Sequence, residues 1–381
     1  MSLTLVAHNG RTRAAARALP PLVVNGRFLA QRLTGVQRYA RELVTALDAR
    51  LAERAEAGEP WPAVIHAPPD AADLPGLRHI ALRRVGSRTG HAWEQLDLNA
   101  SARGALLLNL GNTGPLLHPR QLVAIHDAGV YACPESYSAA FRAWYRVLYA
   151  VLGRRALKVL TVSRFSALEL TRYAGIRAER LAVVPNAADH FAAQAPSADA
   201  LARFGLEPGG YVFALGSASR AKNTAAVARA MAMLPEPRPL LVTAGHRDPR
   251  IFADTGESLG AGVRELGPVS DADLKALYGG ALCLVFPSLY EGFGLPPLEA
   301  MIAGCPVVAA RAASLPEVCG DAALYVDPHD PADIAAQVAR VVADAGLRRE
   351  LAERGRRRAA DFGWRRSADR LLTILDEVTS S

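Results

Sequence analysis

Short runs of Val, Ile, Leu and Ala, each three to six residues long, alternate with helical patterns almost from end to end of the chain. Runs of this length without polar alternation suit strands buried on both faces of a parallel sheet. Strands separated by helices are the pattern of βαβ units. The pattern predicts strands at 22–25, 63–66, 105–110, 122–126, 159–163 and 181–185 in the first half. It predicts a second set at 211–215, 240–244, 264–266, 284–287, 307–310 and 324–326. At 381 residues the chain exceeds what one core usually organises. The expected fold is therefore α/β, with two doubly wound Rossmann-like domains.

The breakers locate the seams. Periodicity is lost after Asp189, and Glu207-Pro-Gly-Gly210 closes the gap, so 191–210 reads as a linker between domains at 21–190 and 211–363. Residues 1–20 read as an N-terminal extension. Residues 364–381 begin after Gly363 and carry Leu371, Leu372, Ile374 and Leu375 at helical spacing. No strand follows that helix, which leaves it free to cross to another part of the fold. Facing doubly wound domains present the C-terminal ends of both sets of strands to one cleft, where ligands of such folds bind.

Charge and cysteine usage narrow the function classes. The net charge of +7 owes much to arginine, and Arg348, Arg349, Arg354, Arg356, Arg357 and Arg358 crowd together among Glu350 and Glu353. With no aromatic residues interleaved, the cluster reads as a solvated helix face, and no nucleic-acid partner is expected. The four cysteines have no metal-ligand or redox spacing. No apolar run reaches the length of a membrane-spanning helix. The short apolar stretch 3–7 precedes the first arginines, the reverse of a secretory signal, so the cytoplasm is the expected compartment.

The segment richest in chemistry directly follows the strand expected at 284–287: Glu291-Gly-Phe-Gly-Leu-Pro-Pro-Leu-Glu299. Pro296 and Pro297 belong at a helix start. Glu291 is thus expected in the loop and Glu299 in the first helical turn, serving different parts of one ligand. Gly292 and Gly294 allow close backbone approach, and the helix N-terminus favours a diphosphate. A purely structural turn has no need of both acids. A second basic turn, Leu215-Gly216-Ser-Ala-Ser-Arg220-Ala-Lys222-Asn223, also joins a strand to a helix. Its cations suit the charge on a departing phosphate. Asp271-Ala-Asp273 follows Ser270 and is better read as a capping pair than as a metal motif.

This arrangement resembles the Glu-x7-Glu signature of family 4 retaining glycosyltransferases, whose architecture is called GT-B, and among them bacterial surface-polysaccharide mannosyltransferases. The likeness continues through Arg264-Glu-Leu-Gly-Pro-Val-Ser270, Pro306-Val-Val and Ser314-Leu-Pro-Glu-Val-Cys-Gly-Asp. The resemblance implies that Glu299 binds the ribose of a nucleotide-sugar donor and that Glu291 binds hydroxyls of the donor sugar. It further implies that Phe293, Gly294 and Leu295 line the sugar and diphosphate, and that Leu266 and Gly267 lie near the base. Lys222 takes the position of the family's phosphate lysine. Gly216 is followed by serine where the family has arginine, and Arg220 is the substitute on offer. In the first half, Gly35 of Thr34-Gly-Val-Gln-Arg38 resembles the glycine turn that touches the diphosphate, and His126 the histidine that contacts the donor sugar. The C-terminal helix would cross back to the first domain. No metal and no cofactor are implied.

By resemblance the chain moves a hexose, with mannose from GDP-mannose preferred over a UDP- or dTDP-sugar, to a hydroxyl of a glycan or lipid-linked glycan, with retention at the anomeric carbon. Two other readings compete. A glycoside hydrolase or phosphorylase needs paired carboxylates flanking the bond, and a two-lobed sugar-binding protein needs only facing α/β domains. Finally, Phe141, Trp144, Tyr145, Leu148, Tyr149 and Leu152 form a helical stripe bordered by Arg142 and Arg146. It reads as core packing, with peripheral contact to anionic lipid at the inner membrane face as the sharper alternative.

Overall fold

A computed structural model describes residues 19–216, 220–245 and 262–380. Most of the N-terminal extension and Ser217 lie outside these residues, as does the side chain of Arg220. Two parallel sheets carry the fold. The first runs β3-β2-β1-β4-β5-β6-β7, with β1 at Leu22–Asn25, β2 at Ala63–Ala67, β3 at Ala81–Arg84, β4 at Leu106–Asn109, β5 at Gln121–Ala124, β6 at Lys158–Thr161 and β7 at Leu181–Val183. The second runs β10-β9-β8-β11-β12-β13, with β8 at Tyr211–Leu215, β9 at Leu240–Ala244, β10 at Val263–Glu265, β11 at Leu284–Phe286, β12 at Val307–Ala310 and β13 at Ala323–Val326.

All twelve strands expected from the apolar runs are present. β3 was not expected, because Ala-Leu-Arg-Arg is a largely exposed edge strand without an apolar signal. Its approach is fixed from elsewhere: the buried carboxylate of Asp48 accepts the backbone N–H groups of Arg78, His79 and Ile80 at 2.8, 2.8 and 2.6 Å. Chain order reverses between β1 and β4 in the first sheet and between β8 and β11 in the second. Those two switch points are where crevices open at the strand ends.

The last helix, Trp364–Ser380, crosses back and packs along the helix Gly35–Glu56 of the first domain. Its Leu371, Ile374 and Leu375 are buried in the same apolar cluster as Leu43, Leu47 and Leu51. Each such side chain contributes about 1.5–3 kcal/mol when removed from water. Arg54 also bonds Asp376 at 2.9 Å. The two crossings of the chain between domains meet, since Trp364 N–H donates to the Asp189 carboxylate at 3.2 Å. The 191–210 segment is not slack: Lys275 Nζ donates to the carbonyls of Phe191, Ala192 and Gln194.

Candidate functional site

The loop after β11 and the turn after β8 meet at the switch point of the second sheet. Lys222 Nζ lies 2.6 Å from Glu291 Oε1, with the lysine over the Phe286 ring at 5.0 Å. The sequence treats these two as separate contributors, and folding pairs them. Asn223 sits at φ 54° and bonds the Pro287 and Pro328 carbonyls, which anchors the turn. Gly216 is required by packing, because a Cβ there would clash with Thr224 Oγ1.

The helix after the loop spans Leu295–Ile302 and is entered through Gly294 at φ 105°, a conformation that favours glycine. This start corrects the expected placement of Glu299: with the helix beginning at Leu295, Glu299 falls in the second turn and caps nothing. Its side chain is only 5% exposed. Burial pushes its carboxyl up to about 8, with Arg38 pulling it down and Asp271 pushing it up. Phe293 is buried against Phe362, so only its backbone can face a ligand. Leu266 and Gly267 follow β10, and Gly267 holds a left-handed turn at φ 68°.

Residues of the first domain reach this loop directly. A Cβ on Gly292 would lie 3.0 Å from both the His126 carbonyl and Asp127 Cβ, so the glycine is needed for the close contact between domains. Ser163 and Ser166 hydroxyls both donate to the Gly292 carbonyl, at 2.6 and 2.9 Å. Glu317 accepts the N–H groups of Arg164 and Phe165 at 2.9 and 3.1 Å. Ser163 and Ser166, which no sequence signal singled out, hold the loop after β11 in place. Asp127 was not singled out either. Burial raises its pKa, Gly129 N–H lowers it, Glu291 raises it and Lys222 lowers it, so it shares the electrostatics of the pair.

His126 is buried, with Nε2 at 3.1 Å from the Leu110 carbonyl and the ring edge-on to Tyr39 at 4.7 Å. A carbonyl only accepts, so Nε2 carries the hydrogen. Burial lowers its pKa to about 4 against the Leu110 bond, which keeps the ring neutral. Gly35 starts its helix at an exposed position, and a Cβ there would meet nothing within 4 Å. Beside it, Arg38 bonds Asp271 of the second domain at 2.8 Å and spans the cleft near Glu299. Ser270 caps the helix Asp271–Gly280, its Oγ accepting the Asp273 N–H at 3.1 Å and donating to the Asp273 carboxylate at 2.8 Å. The aromatic stripe on the helix Ala139–Arg155 turns inward: Phe141 stacks on Tyr145 at 4.1 Å, and Arg142 donates to the Pro134 carbonyl at 2.8 Å.

The two facing parallel sheets, with a cation and two acids at a glycine-bounded helix start, define the GT-B class. The solved structure of sucrose-phosphate synthase from Thermosynechococcus elongatus shares the fold at a TM-score of 0.71 and 21% identity, covering 95% of this chain and 99% of that one. The profile described as glycosyl transferases group 1 matches residues 204–358. The O-antigen chain mannosyltransferase B of Escherichia coli is 35% identical over 257 residues, covering 64% of this chain and 67% of that protein. The chain belongs to the glycosyl transferases group 1 family. A D-inositol 3-phosphate glycosyltransferase of Salinispora arenicola is 36% identical over 214 residues, and the match spans about half of each chain, 52% and 47%. Among the described residues, no helix is long and apolar enough to cross a membrane.

Proposed function

We propose that this glycosyltransferase moves mannose from GDP-mannose to a hydroxyl of a growing surface glycan, with retention and without a metal. The observation that carries the reading is the Lys222–Glu291 pair at the second switch point, beside a helix N-terminus and the buried Glu299. The similarity to an O-antigen chain mannosyltransferase supports the choice of sugar and acceptor class.

In this reading Glu299 holds the ribose hydroxyls, and Lys222 exchanges Glu291 for the diphosphate. Glu291, released from the lysine, takes distal hydroxyls of the mannose through charge-assisted hydrogen bonds. It is then too far from the anomeric carbon to attack it. The acceptor hydroxyl approaches from the face that the phosphate leaves, and the departing phosphate oxygen takes its proton. Lys222 and the amides of the helix start stabilise the developing negative charge. His126, neutral, lies at the sugar end, and Gly35 brings the other helix start to the diphosphate.

Thermal-shift measurements with GDP, UDP, dTDP and ADP test the donor, followed by transfer from GDP-mannose and the anomeric coupling of the product. A larger stabilisation by UDP or dTDP would replace the donor, and an inverted product would sink the same-face mechanism. A lipid-linked acceptor would bring the chain to an anionic membrane from the cytoplasmic side, next to the helix Ala139–Arg155, where Val147 is 51% exposed. Co-sedimentation with phosphatidylglycerol vesicles that Val147→Glu leaves unchanged would remove that surface.

A further inference from the structure

The ring of His126 is not fixed by hydrogen bonds alone. Its Nε2–H donates to the Leu110 carbonyl at 3.1 Å, while its main chain is set separately by Asn112, whose side chain accepts the His126 N–H at 2.8 Å. The torsion that turns an imidazole about its Cβ–Cγ bond is soft and roughly two-fold. A half turn puts carbon where nitrogen stood and gives up the Leu110 bond. With Nε2 carrying the hydrogen, Nδ1 is the acceptor nitrogen of the neutral ring. Only 6% of His126 is exposed, so the orientation of the ring decides which atom a ligand can meet.

That orientation is held by Tyr39. It is wholly buried, and its ring stands at 79° to the imidazole with centroids 4.7 Å apart. At its far end the Tyr39 hydroxyl donates to the Val184 carbonyl at 3.2 Å. Behind it stands Trp364, 5.9 Å away and at 64°. Trp364 is tied down at two points, since its main-chain N–H donates to the Asp189 carboxylate at 3.2 Å and its Nε1 to His190 Nδ1 at 3.0 Å. Three residues on, Ser367 Oγ donates to the Pro185 carbonyl at 2.8 Å, next to the carbonyl that Tyr39 uses. The helix Gly35–Glu56, the chain after β7 and the crossing helix Trp364–Ser380 thus close around one tyrosine. Edge-to-face aromatic pairs carry an orientation preference beyond the area they bury.

We propose that Tyr39, backed by Trp364, is a positioning residue for the transfer reaction. It keeps the His126 ring with Nε2–H on Leu110 and Nδ1 as the acceptor for a hydroxyl of the donor sugar. The inference rests on the reading of His126 as a donor-sugar contact. The helix that returns from the second domain thereby sets a side chain of the first, and both crossings of the chain end on the same aromatic cluster. A tyrosine that only filled the core would affect stability when its ring was lost, and would leave the state of His126 unchanged.

The test uses the full-length chain, and its first readout needs no acceptor. With histidine labelled by nitrogen-15, the ring nitrogens of His126, assigned by their loss in His126→Gln, should show a single Nε2–H tautomer. Tyr39→Leu should average the two tautomers. Tyr39→Phe, which keeps the ring and gives up only the Val184 bond, should restore the single form. Tyr39→Met keeps most of the buried volume and answers where Tyr39→Leu fails to fold. The second readout is transfer from GDP-mannose to methyl α-mannopyranoside. Tyr39→Leu should lower kcat about tenfold or more, as a misplaced contact at a reacting group does, while GDP affinity stays within about twofold. That loss should vanish in a His126→Ala background, because residues acting as one unit do not add. A His126 spectrum unchanged by loss of the Tyr39 ring overturns the proposal, as does a kcat loss that persists without His126 or a His126→Ala variant that transfers at the wild-type rate. Wild-type protein that binds none of GDP, UDP, dTDP and ADP removes the donor reading instead.

Discussion

The two sheets reverse their order at equivalent places, yet the crevices there differ in charge. At β8/β11 a lysine faces a glycine loop and a helix start, with Glu291 as the partner of the lysine. At β1/β4 a buried carboxylate, Glu94, accepts from Asn25 and Thr113 and faces Arg27 and His91. Burial works to neutralise Glu94, but His91, Arg27, Thr113 and Asn25 outweigh it and hold the carboxyl below its ordinary value. Glu299 has no such company, and burial pushes it up to about 8. One topology therefore places a buried carboxylate beside each switch point, and the neighbouring side chains shift the two carboxyls in opposite directions.

The largest expected effect is at Glu291. Glu291→Gln should lower turnover by about a hundredfold or more, as expected for a lost transition-state contact, while GDP affinity moves by about threefold at most. Glu299→Ala should do the reverse, weakening GDP by about 10–100-fold, the cost of leaving buried hydroxyls without a partner. Calorimetric titration of GDP and kcat at saturating donor separate the two. Equal affinity losses in both variants would end the division of labour.

Next in size is Gly292→Ala. The added methyl would press on the His126 carbonyl from 3.0 Å, and the mismatch should cost about 1–3 kcal/mol in urea denaturation. A neutral result would mean that the domains part freely at this contact.

The pH dependence of stability sharpens the contrast between the two carboxylates. Folded Glu299 holds its proton to about 8 and the ordinary value is 4.5, so the folded state binds more protons between these limits. Stability should then fall as pH rises through that window and level off above it. Glu299→Gln should flatten the fall in Tm. Glu94, shifted the other way, contributes stability that is lost as pH drops below the ordinary carboxylate range. The smallest effect belongs to Arg38→Ala: its bridge to Asp271 is partly exposed and should be worth at most about 1 kcal/mol.

Sequence made much of this legible because its signals are local. Apolar runs buried on both faces marked twelve strands, and the glycines, prolines and acids of 291–299 marked the loop and helix start after β11. The signal failed where an element is held by distant partners. β3 is an exposed edge whose approach depends on Asp48, which stands on the helix Gly35–Glu56, 30 to 32 residues before the N–H groups it accepts. Glu299 slipped into the second turn because Gly294 allows the helix to begin one residue before the prolines. Ser163, Ser166 and Asp127 look ordinary in sequence and matter only once Gly292 is brought against them.

By itself, then, the sequence determined the doubly wound pattern and the residue types of the loop after β11, since each depends on neighbours along the chain. The tertiary structure alone decided that Lys222 pairs with Glu291 and that Gly292 touches the other domain. It alone gathered Arg27, His91, Glu94 and Trp144 into one cluster. Those residues are up to 117 positions apart, and only the order of the strands in the first sheet makes them neighbours.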